Sequence, residues 1–330
     1  MMTHYLQASY LVRLACFSLT SFWLINSLLA LATRLGAPAA IRFGERLRPL
    51  SAARFILALR LLPSSLALFA VTGLCIPSYL WLEPKGRREQ VDLWCWVLAL
   101  LCVWTLGISI SRASRGARAA LRYAWCCRQE GREVRLSEGS RPLLIVNSDA
   151  PLLAVAGVMR PRVVVSTGVL RELSSQQLDA ALGHERIHLA ARDNLKRLLM
   201  LLSPDALPFC RCLAPLEGAW TRFAEWAADD QAVAGDSRRS LSLASALVCV
   251  ARMGLPMRPP GLAICFVGDD TGLSARVDRL LRETSTQDRE PPRASALLGV
   301  AAMIITILAV AMLQPSAWCT VHRIMEHLAR

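Results

Sequence analysis

The chain has 330 residues, of which 54% are hydrophobic and 19% charged, and its formal net charge is +13 at pH 7. Its apolar residues form long uninterrupted blocks, which argues against a simple soluble enzyme. The basic residues cluster beside these blocks and not on one face with interleaved aromatic side chains, so we expect no direct nucleic-acid partner. The 11 cysteines show no repeating spacing, which argues against a secreted disulfide framework.

Four segments are long and apolar enough to cross a bilayer, which takes about 20 residues in a helix. They lie at about residues 15–32, 55–82, 91–110 and 295–313. The second contains Pro63 and Pro77, which predict kinks. It also contains Arg60, whose side chain we expect to extend to the membrane interface.

Arginines predict how these segments are oriented, because positively charged loops stay in the cytoplasm. Two groups follow the first and third segments: Arg34, Arg42, Arg46, Arg48 and Arg54, then Arg112, Arg115, Arg118, Arg122 and Arg128. We therefore expect the N-terminus outside, residues 112–293 in the cytoplasm and a short tail outside. Residues 30–32 resemble a signal-peptidase site, but the arginine-rich loop after them favours an uncleaved anchor.

The predicted divisions of the chain follow from these spans. Residues 1–54 would hold the first span and its arginine-rich loop, 55–111 the second and third spans, 112–293 a cytoplasmic domain, and 294–330 the fourth span and tail. Arginine outnumbers lysine heavily, as is typical of GC-rich bacterial genomes, so the membrane would be a bacterial cytoplasmic membrane. The arginines would contact its anionic lipids.

The segment between the third and fourth spans has the pattern of an α+β domain. Short runs of Val, Leu and Ile at residues 143–146, 152–158 and 163–165 predict a small sheet. Ser174 or Ser175 is a suitable N-cap for a helix over residues 176–201. The stretch 198–220 is apolar but broken by prolines, and predicts a membrane-facing hairpin instead of a fifth span. The sequence thus predicts a mainly α multi-pass membrane protein, with four transmembrane helices and an inserted α+β domain.

His184, Glu185 and His188 form a metal-binding pattern within this domain. Histidines four residues apart project from one face of a helix and can bind one zinc ion, and the glutamate can take a proton from the bound water. Catalytic zinc keeps three protein ligands and one open position. The predicted topology places the remaining histidines outside the membrane, so a carboxylate must complete the set; they are His4, His322 and His327.

Glu225 and Asp229 lie one helical turn apart in residues 223–234. We expect Glu225 to be the third ligand and Asp229 to accept a hydrogen bond from a ligand imidazole. The alternative is a solvated helix face, since Asp230 is also there. A second zinc site at Cys126, Cys127, Cys210 and Cys212 lacks the usual ligand spacing, and buried or unreactive thiols are favoured.

These motifs resemble the BlaR/MecR type of integral membrane zinc metallopeptidase, a gluzincin family related to HtpX and the CaaX prenyl proteases. The similar residues are 163–168, 184–188, 193–194 and 225–229, and the resemblance covers about residues 142–281 plus the arrangement of spans. It implies a zincin-like (minigluzincin) domain with one catalytic Zn²⁺. His184, His188 and Glu225 would be its ligands and Glu185 the general base.

The resemblance also implies roles for residues around the metal. Asp229 and Asp193 would support the ligands, although a bond from Asp193 to Arg192 or Arg197 is an equal alternative. Arg276 would stabilise the oxyanion, or form a surface ion pair. An edge strand would bind an extended substrate through its backbone, or be a core strand; its residues are Leu152, Leu153, Ala154, Val155 and Ala156.

The resemblance implies a zinc metalloendopeptidase in signal transduction, which would cleave a cytoplasmic winged-helix transcriptional repressor. The alternatives are a quality-control or processing protease like HtpX and a non-catalytic membrane receptor or scaffold. Relatives that sense β-lactams carry an extracellular penicillin-binding domain after the last span. This sequence ends at Arg330 without one, so we do not expect β-lactam sensing.

Overall fold

The computed structural model of the chain describes residues 2–82, 92–134, 142–254, 264–265, 270–282 and 320. This part of the chain is mostly helical and contains one five-stranded sheet. The predicted fourth span at residues 295–313 lies outside the described residues, as do His322 and His327.

Three described helical segments are long and apolar enough to cross a membrane, which indicates a membrane protein. They are Tyr10–Gly44, within helix α1 (Met2–Gly44), then Pro49–Leu82 and Leu93–Glu130. The second comprises α2 (Pro49–Ala70), a π-helical turn (Val71–Cys75) and α3 (Ile76–Leu82). Pro77 has no N–H to donate to the preceding turn, which accounts for the π-helical distortion there.

The arginine-rich segments are more helical than predicted. Helix α1 continues through Pro38 to Gly44, so that only residues 45–48 turn the chain into α2. Helix α4 (Leu93–Glu130) runs without a break from the third span to the sheet. Alanine and arginine are both strong helix formers, which explains why the helices continue past the apolar residues.

Five strands form the sheet in the order β1-β2-β4-β3-β5, with β2 and β4 parallel and the other pairs antiparallel. They are β1 (Gly131–Val134), β2 (Leu143–Val146), β3 (Leu153–Ala156), β4 (Arg162–Ser166) and β5 (Ile264–Cys265). Leu144 and Val164 pack on one face near α4, and Leu143 and Val163 on the other. The three predicted strands are confirmed, and both faces of the sheet are buried.

The prediction of an edge strand within residues 152–158 is wrong. Strand β3 lies between β4 and β5, because Ala154 and Val155 pair with Cys265 and Ile264. All four residues of β3 are buried, as in a core strand. Strand β5 has only two residues, too few for a periodic pattern in the sequence.

Six helices complete the described part of the domain, and one carries the paired histidines. They are α5 (Thr167–Glu172), α6 (Ser175–Ala191), α7 (Asp193–Leu202), α8 (Ala214–Val233), α9 (Ser237–Arg252) and α10 (Asp270–Arg282). Ser174 caps α6 through reciprocal hydrogen bonds with Gln177, which confirms one of the two predicted N-caps. The single helix expected over residues 176–201 is broken at Arg192, whose left-handed conformation (φ 54°) ends α6 and starts α7.

Arg60 does not extend to the membrane interface as predicted. Its side chain is only 1% exposed and forms an ion pair with Glu217 of α8. The loop between α7 and α8 lies against the spans, where Ser27 of α1 donates a hydrogen bond to the main-chain oxygen of Ala206. Phe209 packs edge-on against Trp104 of α4. The apolar stretch 198–220 is therefore a helical hairpin that contacts the spans.

Gly168 lies at the start of α5, where the helix packs closely against the loop after β2. A methyl group at Gly168 would lie 2.5 Å from the main-chain oxygen of Asp149. We expect Gly168→Ala to lower the free energy of unfolding by about 1–3 kcal/mol, as other overpacked sites do. Gly218→Ala is the matched control, because nothing lies within 4 Å of a methyl group there. Thermal unfolding should show a lower Tm for the first variant only, and equal Tm values would contradict this packing.

Candidate metal centre

His184 and His188 lie on one face of α6, and their imidazole Nε2 atoms are directed at the same point. Their Nε2 atoms are 3.0 Å apart. Glu225 reaches them from α8, with its Oε2 atom 3.4 Å from Nε2 of His184 and 3.7 Å from Nε2 of His188. Among the described residues, these three form the one group that could hold a metal ion.

The spacing of these three atoms fits a tetrahedral zinc ion. Bonds of about 2.0–2.1 Å to ligands in tetrahedral directions separate the ligand atoms by about 3.3 Å. The observed separations of 3.0, 3.4 and 3.7 Å lie around that value. Two histidines and one glutamate are also a donor set of catalytic zinc sites, in which the fourth position stays open. The residues present therefore fit a catalytic zinc ion.

Glu185 is fully buried next to the first histidine. Neither of its carboxylate oxygens has a hydrogen-bond partner within the described part of the chain. Burial raises the pKa of Glu185 to about 7, although the charges of His184 and His188 act in the opposite direction. A carboxyl group with this pKa can both accept and return a proton near neutral pH.

Two carboxylates orient the imidazoles. Nδ1 of His184 donates to Asp229, at 2.9 Å from Oδ1, and Nδ1 of His188 donates to Asp193, at 2.7 Å from Oδ2. These bonds fix the tautomer that leaves each Nε2 atom free to bind a metal. Asp229 thus lies where the sequence predicted a supporting carboxylate.

Of the two alternatives predicted for Asp193, the structure shows the contact with a ligand histidine and not a bond to Arg192 or Arg197. Asp193 contacts His188 and the ammonium group of Lys196, 2.7 Å from Oδ1. The break at Arg192 starts a new helix at Asp193, which places Lys196 one turn away on the same face. The three-residue spacing of Asp193 and Lys196 was the sequence signal for this pair.

Arg276 reaches the site from α10 and is buried, so the alternative of a surface ion pair is wrong. Its Nε and Nη2 atoms donate to Asp229, at 2.9 and 2.7 Å. Its Nη1 atom lies 3.0 Å from Oε2 of Glu225. The guanidinium group therefore binds both Glu225 and Asp229 of α8, and its role at the oxyanion stays a prediction.

Charge in the site favours a cation at the Nε2 atoms. Burial opposes ionisation of Glu225, but His188 and Arg276 hold the pKa of this carboxyl well below its usual value. Asp229 is likewise buried, and Arg276 and His184 lower its pKa to about 2. Burial lowers the pKa of His188, but Glu225 and Asp193 outweigh burial and raise this pKa to about 10. Ionised carboxylates that stabilise a proton here would equally stabilise a metal cation.

Asp193→Asn tests the support of the second histidine. We expect zinc affinity to fall by about 10–100-fold, because an amide supports the imidazole more weakly than a carboxylate does. Asp179→Asn is the control, since Asp179 is an exposed residue of α6, the helix that carries both histidines. Competition with a chelator measures both affinities. Equal affinities in the two variants would show that Asp193 does not support the metal site.

Comparison with known proteins gave one family match. The model of Peptidase family M48 matches residues 140–249, a range that contains His184, Glu185, His188 and Glu225. Arg276 and the three long apolar helices lie outside this range, and a comparison with curated proteins found no significant match. The match and the geometry of the ligand group support a peptidase M48 domain in this segment, which implies a metalloprotease.

Proposed function

We propose that this protein is a membrane-embedded zinc endopeptidase in which Glu185 is the general base. The observation that supports this proposal most directly is the group of three ligand atoms 3.0 to 3.7 Å apart, with the buried carboxyl of Glu185 beside it. Zinc bound there would lower the pKa of a water molecule and polarise the scissile carbonyl. Glu185 would accept a proton from the attacking water and return it to the leaving amine.

The neighbouring residues would support this reaction in different ways. Asp229 and Asp193 keep the two imidazoles in the metal-binding tautomer, and Arg276 keeps Glu225 and Asp229 ionised. Stabilisation of the oxyanion by Arg276 remains part of the proposal.

The peptidase domain would lie in the cytoplasm of a bacterium, with the N-terminus of the chain outside. Exposed arginines support this orientation, among them Arg42, Arg46 and Arg118 near the domain end of the spans. Trp81 and Trp94 are exposed at the opposite end, as is typical of side chains at a membrane interface. The arginines would contact anionic lipid.

The substrate would be a cytoplasmic winged-helix transcriptional repressor, cleaved as a step in signal transduction. The resemblance to the BlaR/MecR type, which includes both the metal motifs and the arrangement of spans, supports this choice. The test is to look for a winged-helix repressor gene next to the gene of this protein, and to incubate the purified full chain with that repressor. We expect zinc-dependent cleavage of the repressor.

Two other results would replace this substrate or this activity. Cleavage of damaged membrane proteins, with an intact repressor, would favour a quality-control protease like HtpX. A chain that neither binds zinc nor cleaves either substrate would favour a non-catalytic receptor or scaffold.

A further inference from the structure

Arg60 of α2 binds the C-terminal end of α7. Its Nη2 atom donates to the main-chain oxygens of Met200 and Ser203, at 2.9 and 3.2 Å, and its Nη1 atom donates to Oγ of Ser203 at 3.0 Å. The last carbonyl groups of a helix lack partners within the helix. Arg60 therefore supplies the hydrogen bonds that complete the end of α7.

The same guanidinium group binds the first turns of α8. Its Nε atom donates to Oε1 of Glu217 at 3.1 Å, and its Nη2 atom lies 3.8 Å from Oδ1 of Asp205 in the connecting loop. Arg60 and Asp205 are 1% and 3% exposed. A single side chain of a predicted span thus joins the end of α7, the loop and the start of α8.

The neighbours of Arg60 anchor the same loop to all three described spans. Ser64, one turn along α2, donates to Asn26 of α1 at 3.0 Å and lies 2.7 Å from the hydroxyl of Ser203. Arg112 of α4 lies 3.4 Å from Asp205. Ionisable groups within a span are costly unless they are paired, and such groups commonly have a functional role. Arg60 and Arg112 thus both pair with Asp205, which links two spans to the loop.

The two helices that Arg60 joins also carry parts of the metal centre. Helix α7 begins at Asp193, which accepts the hydrogen bond of His188. Helix α8 carries Glu217 near its start and, two turns further on, the candidate ligand Glu225. A displacement of one end of a rigid helix is transmitted to the other end. The position of Arg60 therefore affects both Asp193 and Glu225.

We infer that Arg60 is a positioning residue of the metal centre, through which α2 fixes how Glu225 and Asp193 meet the two histidines. A movement of α2 against the hairpin would change the geometry of the ligands, so that the spans control the activity of the peptidase. This inference rests on the proposed function, because the activity it controls is zinc-dependent cleavage. It assigns a role to a residue that touches neither the metal ligands nor the substrate.

Two variants of the full chain in nanodiscs test the role of Arg60. Arg60→Lys keeps the charge but cannot bond to both helices at once. The double variant Arg60→Met with Glu217→Gln removes both partners of the ion pair and leaves Asp205 paired with Arg112. Arg54→Met is the control, because Arg54 is an exposed arginine of the same helix.

The measurements are zinc affinity by chelator competition, kcat and KM at saturating zinc, and the Tm of the zinc-free protein. We expect both Arg60 variants to bind zinc at least about tenfold more weakly and to have a lower kcat, with KM unchanged. A merely structural role would lower the Tm of the zinc-free protein and leave the zinc affinity of the folded protein as it was.

The inference is overturned if the zinc affinity and kcat of the folded Arg60 variants equal those of the wild type. It is also overturned if Arg54→Met lowers zinc affinity and kcat as much as the Arg60 variants do. If one of the two Arg60 variants does not fold, the zinc affinity and kcat of the other decide whether Arg60 positions the metal centre. A wild-type chain that binds no zinc would overturn the proposed function as well. A wild-type chain that binds zinc and cleaves, together with Arg60 variants that match it, would overturn only the role of Arg60.

Discussion

Replacing Glu185 by glutamine is expected to lower kcat for peptide cleavage by about 10²–10⁴-fold, the usual contribution of a general acid–base group. Glutamine has nearly the same size but cannot take the proton of the attacking water. Zinc content should stay at the wild-type value, because the ligand group consists of His184, His188 and Glu225. The variant therefore separates catalysis from metal binding.

Glu172→Gln is the matched control for this experiment. Glu172 is exposed at the end of α5, outside the metal centre, and its replacement should leave both kcat and zinc content unchanged. An undiminished rate in the Glu185 variant would mean that another group is the base. Loss of zinc from that variant would mean that Glu185 helps to hold the metal.

Replacing Glu225 by glutamine is expected to abolish both zinc binding and cleavage. Changes to the groups that orient metal ligands already cost about 10–100-fold in affinity. Loss of a charged ligand should therefore lower zinc affinity by more than about 100-fold. Metal analysis after dialysis, followed by an assay with added zinc, measures both effects.

Asp230→Asn provides the control for Glu225 on the same helix. Asp230 is partly exposed and pairs with Arg279, so its removal should change stability only slightly and leave zinc affinity unchanged. If Glu225→Gln retained zinc as the control does, the third ligand would have to be another residue. The account of the ligand group would then be wrong.

Features with a local pattern could be predicted from the sequence. Apolar length located three helices, runs of branched residues located three strands, and the spacing of His184 and His188 located the metal helix. The break at Arg192 was missed, because the apolar spacing of a helix continues through it. Strand β5 was missed because two residues show no alternation.

Contacts between distant residues could not be derived from local patterns. Arg60 and Ser203 are 143 positions apart, and Arg276 and Asp229 are 47 apart. From the sequence alone, the side chain of a lone arginine in an apolar segment is expected to extend to the membrane interface. Its carboxylate partners lie in another apolar stretch, the hairpin with Asp205 and Glu217. Opposite charges in two apolar segments are the signal that could have paired them.

Metal analysis of the purified full chain, combined with a chelator and zinc-restoration assay of cleavage, tests the central claim most directly. The account predicts one zinc ion per chain, with activity that is lost on chelation and restored by added zinc. A folded chain that holds no zinc, or cleavage that survives complete removal of the metal, would contradict it.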